Sequence, residues 1–323
     1  MKKNIEMVSI VIVNWNGKRW IEKCLHSLIY QTYKNTEIIF VDNASTDGSV
    51  EYVLNKFKNV HVIACKKNTG FSTANNLGVK IAKGRYLLLI NLDAWIEKDF
   101  LEDIFNFYTA NSYDVISPTE KRYDKSIVKI LNTTIDIAGM PAYYRYGKRN
   151  PNPFYLSTCY FLSKEVYLSS RGFDNGHFLY MEDVDWFWRL KLLKKSYVYV
   201  PHVYIYHAGG GSITSGFSYN TFLWRNQNTL QTLLKNYSFF TLIIILPIYF
   251  IQNILEIIFF MSILKPKLAW SYLQSWIFNI KNIKTIMNKR RWIQKRRQVS
   301  DIEIFKAMYH GSGKYLHFRR VYL

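Results

Sequence analysis

Acidic side chains stand in this chain where apolar runs stop. The stretch Tyr86 to Trp95, YLLLINLDAW, is a short aliphatic and aromatic run that ends abruptly in Asn91, Leu92 and Asp93. A second run, Glu37 to Val41, also ends in an acid, Asp42. Runs of this kind read as strands buried on both faces, and an open α/β sheet binds its ligands at the carboxyl ends of such strands. Three more carboxylates, Glu182, Asp183 and Asp185, fall within four positions among aromatic residues. Like charges packed so closely repel one another unless a cation or a shared proton offsets them. His207 follows a strand-like run and precedes Gly209, Gly210 and Gly211, where it suits a metal or a phosphate. Each feature has a plain structural reading beside the chemical one. Asp93 can cap the next helix, the acidic triplet can be the exposed first turn of a helix over 185–194, and a lone histidine can serve packing.

The elements that must position these residues follow from periodicity. Val8 to Val13 is a β-branched run broken by Asn14-Trp15-Asn16-Gly17, and it predicts a first buried strand. Trp20, Ile21, Cys24, Leu25, Leu28 and Ile29 recur at helical spacing. After the strand at 37–41 comes a polar turn, Asn43 to Ser49, and a helix to about Phe57. Val60 to Ala64 predicts a third strand. A helix through about Lys83 follows Asn68-Thr69-Gly70-Phe71, and Gly84 ends it before the Tyr86 run. Strand and helix alternating in this way predict a doubly wound, mostly parallel sheet. The place where a dinucleotide fold carries GxGxxG holds Asn14-Trp15-Asn16-Gly17, which argues against a nicotinamide or flavin enzyme.

Further on, a helix is predicted over 97–108, a short strand over 115–117, and a variable insertion or strand pair over 120–153. Strand-like alternation resumes at 155–163, a short helix follows at 164–169, and two edge-like strand fragments flank Pro201.

The chain has 323 residues, 49% of them hydrophobic, which is enough for a large folded core. Its three cysteines, Cys24, Cys65 and Cys159, have neither zinc-site nor disulfide-scaffold spacing, so a reducing compartment is the simpler expectation. The formal charge is +20, and residues 264–323 hold fourteen Lys and Arg against Asp301 and Glu303. Such a tail favours polyanions. Phe239 to Ile251 is almost wholly apolar around Pro247, and Asn253 and Glu256 interrupt the run that continues to Leu264, a pattern predicting a kinked or in-plane hairpin. Trp270, Tyr272, Trp276, Phe278 and Trp292 interleave with Lys281, Lys284, Lys289, Arg290, Arg291, Lys295, Arg296 and Arg297, as in a helix lying on an anionic leaflet. Nucleic-acid binding also uses aromatic and basic interleaving, but it gives the apolar run no role. No signal peptide is read in MKKNIEM and the apolar run behind it, so the catalytic part is expected on the cytoplasmic face of the cell membrane, held peripherally or monotopically, with no nucleic-acid partner.

Six pieces in order, SIVIVNWNG from Ser9, VDNASTDGS from Val41, NTGFSTANNLG from Asn68, NLDAW from Asn91, MEDVDWFWR from Met181 and the strand leading to His207, resemble the family 2 glycosyltransferases, and within them the rhamnosyltransferase-like branch of surface polysaccharide assembly. Arg225-Asn226 resembles a further family feature. The resemblance implies a GT-A fold over residues 1–215, with a nucleotide-binding half to about residue 95 and an acceptor-side half beyond it, and leaves 216–323 as a helical, basic, membrane-associating region. It implies a nucleotide-sugar donor, dTDP-rhamnose as the first expectation, and a divalent cation, Mg2+ or Mn2+. By position, Asp42 would recognise the base or ribose, with Asn14, Asn68, Gly70, Asn76, Asn91 and Arg225 also on the donor. Asp93 would hold the metal against the diphosphate, with His207 as a late metal or diphosphate contact, and Asp183, beside Glu182, would be the catalytic base. The family often has Asn-Pro-Asp where this chain has Asn91-Leu92-Asp93.

The chemistry is consistent with that allocation. Sugar transfer from a nucleoside diphosphate needs the leaving phosphate neutralised and a proton taken from the acceptor hydroxyl. One base without a covalent nucleophile implies inversion. A membrane-facing tail suits a glycan or polyprenyl-linked glycan acceptor. Two alternatives stand beside this reading: a sugar nucleotidyltransferase, and a non-catalytic, membrane-attached glycan-binding module.

Overall fold

A computed structural model describes residues 6–122, 132–144, 153–156, 158–208 and 218–315. In chain order its elements are β1 (Val8–Asn14), α1 (Lys18–Ile29), β2 (Thr36–Asp42), α2 (Ser49–Lys56), β3 (Val60–Ala64), α3 (Phe71–Ile81), β4 (Tyr86–Asn91), β5 (Ala94–Ile96), α4 (Phe100–Ala110), β6 (Val115–Arg122), β7 (Asn132–Ile135), β8 (Pro141–Tyr144), β9 (Cys159–Ser163) and α5 (Lys164–Ser169). They continue with α6 (Glu182–Leu192), β10 (Tyr197–His207), α7 (Tyr219–Asn236), α8 (Phe239–Ser262), α9 (Pro266–Lys281), α10 (Ile283–Arg296) and α11 (Asp301–Lys306). The chain forms two compact units. One comprises Met1–Ile130, Leu156–Phe178 and Lys195–Ile213, the other Leu131–Tyr155, Leu179–Lys194 and Thr214–Leu323.

The first unit is a GT-A-type α/β sheet in the order β3-β2-β1-β4-β9-β6-β10-β5. β3, β2, β1 and β4 run parallel to one another, as do β6 and β10. The aliphatic runs sit at its centre: Val8, Ile10, Val11 and Ile12 of β1 and Leu87 and Leu88 of β4 are fully buried, as expected of strands covered on both faces. The amphipathic stripe of α1 buries Ile21, Cys24, Leu25 and Leu28 against the sheet's apolar cluster.

Four features depart from the sequence reading. β9 runs antiparallel between β4 and β6, an interruption whose place the expected mostly parallel order does not give. β6 continues through Pro118 to Arg122 instead of stopping at residue 117. The two fragments around Pro201 are one strand, β10, which absorbs the proline in a register shift between Val200 and Tyr204, the position where a residue without an N–H is tolerated. That strand is not an edge, because the three-residue β5 lies outside it. Pairing across the sheet is not written in any local period, so none of the four is visible in the sequence alone. Gly209, Gly210 and Gly211, and half of the 120–153 insertion, lie outside the described residues. The part of that insertion that is described includes a two-stranded sheet, β7 on β8.

The second unit gathers that small sheet with six helices. The helix carrying the acidic triplet begins at Glu182, three residues before the predicted start. α8 is one helix through Pro247, long and apolar enough to cross a bilayer by length and composition, and α9 turns back against it. Leu242, Ile245, Tyr249, Asn253 and Phe260 form its buried face, while Phe240, Ile244, Ile251 and Leu255 are 58–79% exposed. Glu256 is not bare: Lys314 Nζ lies 2.5 Å from its carboxylate and 3.0 Å from Asn253 Oδ1. The basic tail is also less uniform than its sequence suggests. Arg290 donates to the carbonyls of Leu234 and Tyr237 at the C-terminal end of α7, and Arg297 pairs with Asp301 at 2.7 Å. Tyr272, one of the interleaved aromatics, is buried.

Candidate active site

Register brings the first group of predicted residues together. β1 and β2 are parallel with Asn14 opposite Asp42, so their carboxyl ends lie side by side. Asn14 Nδ2 donates to Asp42 Oδ1 at 2.7 Å and to Ser45 Oγ at 3.0 Å, and the Ser45 N–H donates to Asp42 Oδ2 at 2.8 Å. Both Asn14 and Asp42 are almost fully buried. The carboxylate is therefore held by two neighbours before any ligand arrives. Gly17 closes this corner: a Cβ there would stand 2.5 Å from Leu92 Cδ2 and 2.7 Å from Asn14 Oδ1.

The loop after β3 is tied to the same corner. Asn68 Oδ1 accepts from Asn43 Nδ2 at 2.8 Å and from the Gly70 N–H at 2.9 Å. Gly70 has φ +84°, and a Cβ would meet the Phe178 carbonyl at 2.4 Å, so both conformation and space require glycine. Asn76 is engaged elsewhere: it donates to the Phe173 carbonyl and Asn175 Oδ1 and accepts from the Tyr167 hydroxyl at 2.6 Å. Asn91 ends β4 beside Val13 of β1.

Asp93, the acid expected at a metal, is linked through His207 of β10 to Glu120 of β6. β5 pairs with β10 so that Ala94 lies opposite His207, and the Ala208 N–H donates to the Asp93 carbonyl at 2.9 Å. His207 Nε2 lies 3.1 Å from Asp93 Oδ1, and its Nδ1 lies 3.0 Å from Glu120 Oε1. Thr158 donates to the second Glu120 oxygen at 2.7 Å. Burial opposes a charged imidazole here, but its hydrogen bonds to Asp93 and Glu120 outweigh burial and raise the His207 pKa to about 10. For Glu120, burial likewise opposes charge, and His207 and Thr158 prevail to hold its carboxyl below the usual range.

A divalent cation fits this donor set. Asp93 Oδ1 and His207 Nε2 stand adjacent, and a cation that displaces the proton between them would meet one oxygen and one nitrogen ligand. Glu120 holds the far nitrogen, the arrangement that orients a ligating histidine and fixes its tautomer. Glu120 was missed by sequence reasoning because it lies beyond Pro118, where the strand was expected to have ended. No local period marks it: the strand reads VISPTEKR from Val115, without apolar and polar alternation past the proline.

In the second unit, the acidic triplet divides by environment. Tyr180 and Met181 both have positive φ, +69° and +66°, in the turn that opens α6. Non-glycine residues held this way cost of order 1–3 kcal/mol each. Glu182 and Asp183 come next, half-buried. Burial, and for Glu182 the neighbouring Asp183 charge, raise both carboxyls above the ordinary range, and Arg225 draws Asp183 partly back. The pair thus tends to share a single proton. Glu182 Oε2 is buried with no hydrogen-bond partner, while Asp183 Oδ1 accepts from the Val184 N–H at 2.7 Å. The Arg225 guanidinium stands 5.0 Å from the Tyr180 ring centre. Asp185 is different: it is fully buried, with Arg189 Nε at 3.0 Å, Lys235 Nζ at 2.9 Å and Asn236 Nδ2 at 3.1 Å. The reading of all three acids as an exposed first turn does not hold.

Known proteins resemble this chain in sequence and in fold. The profile described as "Glycosyl transferase family 2" matches residues 9–170. GlyG, a glycosyltransferase of Streptococcus pneumoniae, is 26% identical over 222 residues, covering 64% of this chain and 73% of GlyG. The Escherichia coli protein WfaP, named UDP-Glc:alpha-D-GlcNAc-diphosphoundecaprenol beta-1,3-glucosyltransferase, is 30% identical over 194 residues, covering 59% of this chain and 72% of WfaP. Among solved structures, GalNAc-T7 with UDP, GalNAc and Mn2+ shares the fold with a TM-score of 0.59 at 15% identity, covering 72% of this chain and 48% of that one. The nucleotidyltransferase and non-catalytic alternatives are thereby set aside. With its motifs, sheet and matched segment in agreement, the chain belongs to glycosyl transferase family 2 and is a transferase enzyme.

Proposed function

We propose that this enzyme moves one sugar, with inversion, from a pyrimidine nucleoside diphosphate to a hydroxyl of a lipid-linked glycan at the cytoplasmic face of the membrane. The observation that carries the reading is the Asp93–His207–Glu120 array in the same unit as the buried Asn14–Asp42 pair. Asn14, Asp42, Asn68, Gly70 and Asn91 form the donor corner in this reading, with Asn76 holding the 173–175 segment beside it. Asp93 and His207 would hold the cation, and a mixed oxygen and nitrogen pair suits Mn2+ better than Mg2+. When bound, the cation neutralises charge on the leaving diphosphate. Asp183 takes the acceptor proton, the unpartnered Glu182 oxygen stands ready for a donor hydroxyl, and Arg225 offers a guanidinium to phosphate.

dTDP-rhamnose is the donor expected first from the rhamnosyltransferase-like motifs. WfaP carries UDP-Glc in its name, and uracil and thymine present the same hydrogen-bonding edge. The lipid diphosphate in that same name supports the acceptor class. In this reading residues 1–215 carry the transfer and 216–323 the membrane attachment.

Calorimetry with UDP-glucose and dTDP-rhamnose, with and without Mn2+, tests the site. Asp93→Ala should weaken metal-dependent donor binding by at least the roughly 10–100-fold that loss of an outer-shell partner costs. Unchanged Mn2+ dependence removes Asp93 from the metal shell. Membrane attachment has its own test. Ile244 and Leu255 are 64% and 61% exposed on α8, and burying each in lipid is worth about 1.5–3 kcal/mol. The pair Ile244→Lys and Leu255→Lys should lower recovery on vesicles of anionic lipid by tenfold or more, and equal recovery counts against the hairpin as anchor.

A further inference from the structure

One face of α7 meets the turn that opens α6. Arg225, Asn228, Lys235 and Asn236 recur at intervals that bring them to one side of a helix. Arg225 covers the Tyr180 ring, and Lys235 and Asn236 hold Asp185. Asn228, buried and between them, donates from Nδ2 to the Leu179 carbonyl at 3.0 Å and to the Tyr180 carbonyl at 2.8 Å.

We propose that Asn228 is a positioning residue for the transfer reaction: its amide holds the left-handed Tyr180–Met181 turn and so fixes the direction in which Glu182 and Asp183 leave α6. The inference rests on the reading of those two acids as catalytic.

Three observations carry it. Tyrosine and methionine do not keep positive φ by themselves, since each has a Cβ that crowds the backbone there. Met181, at the N-cap position, caps nothing with its side chain, so the start of α6 lacks the usual internal brace. Successive carbonyls point to opposite sides of an extended chain, so two of them reach one NH2 group only while the turn keeps its bend. The first helical bond, from the Asp185 N–H to the Met181 carbonyl at 2.9 Å, starts from the held residue. Asn228 is 1% exposed, so water does not stand in for the amide if it is removed.

The test compares Asn228→Ala with wild type in the full detergent-solubilised chain. Asn228→Asp serves as the volume-conserving partner if the alanine form does not accumulate, because a carboxylate accepts where the amide donates. Hydrogen exchange at the amides of 182–185, which needs no substrate, should quicken at least about tenfold while other helices keep their protection. With UDP-glucose and dTDP-rhamnose as donor probes, kcat should fall about 10–100-fold with the donor KM unchanged, the signature of a misplaced base. Adding Met181→Gly, which removes the conformational penalty, should recover much of both losses. Wild-type exchange and kcat in a folded Asn228 variant overturn the proposal, as does a loss that Met181→Gly leaves untouched. Asp183→Asn in the same assay separates the two levels: an active Asp183→Asn refutes the catalytic reading, and an inactive one beside a normal Asn228→Ala refutes only the brace.

Discussion

Replacing Asp183 with asparagine is expected to lower turnover by between about 10^2- and 10^4-fold, the range that general base catalysis supplies. Donor binding should stay as it was, because the change removes a proton acceptor and keeps shape and hydrogen-bonding capacity. The pH profile gives a second, independent reading. The base works only when deprotonated, and burial lifts its carboxyl above the ordinary range, against the smaller pull of Arg225. Wild-type kcat should therefore climb with rising pH through a pKa higher than that of a free aspartate and then level off. In Asp183→Asn that limb should vanish along with the rate. A residual rate that keeps the same limb would assign the base to another group.

The second large effect concerns stability. Asp185 lies between Arg189 and Lys235, and all three are at most 5% exposed. Asp185→Asn removes the carboxylate charge from both buried pairs, and breaking a buried ion pair from one side costs about 3–5 kcal/mol. That is a large part of the roughly 5–15 kcal/mol that typically separates folded from unfolded. Lys235→Met should cost less, because Asp185 keeps Arg189 and Asn236. Thermal melts of the two variants should place Asp185→Asn below Lys235→Met, and the reverse order would mean that Lys235 is the cluster's organising charge.

These two aspartates, two residues apart, mark where sequence reasoning reached its limit. The sequence motif brings out all three acids of the triplet, and one turn of helix then separates them by burial. Arg189, one helical turn on, is a partner that local spacing offers to Asp185, but Lys235 and Asn236, which complete its surroundings, lie some fifty positions away, and no local period reports that distance. The strands were legible for the opposite reason. Val8 to Val13 and Tyr86 to Ile90 announce their burial by composition alone, and Asp42 and Asp93 stand at strand ends whatever the order of the sheet. His207 was legible as a partner for Asp93 only through its position after a strand. Glu120 was hidden because a proline suggested an end that pairing with β10 overrode. The basic tail misled in part because Arg290 and Arg297 look, in sequence, like every other cation of the cluster, and only their carbonyl and carboxylate partners set them apart.

The Glu256–Lys314 pair has a consequence in time. The two residues are 58 positions apart, which corresponds to roughly 3–12 s of synthesis at about 5–20 residues per second. For that interval α8 has been made but its acid is uncompensated, and α9, which will cover its inner face, is made during the same wait. The order of translation thus opens a window in which a 24-residue apolar helix is available to a bilayer or a chaperone before the chain supplies the charge that lets it pack as a hairpin.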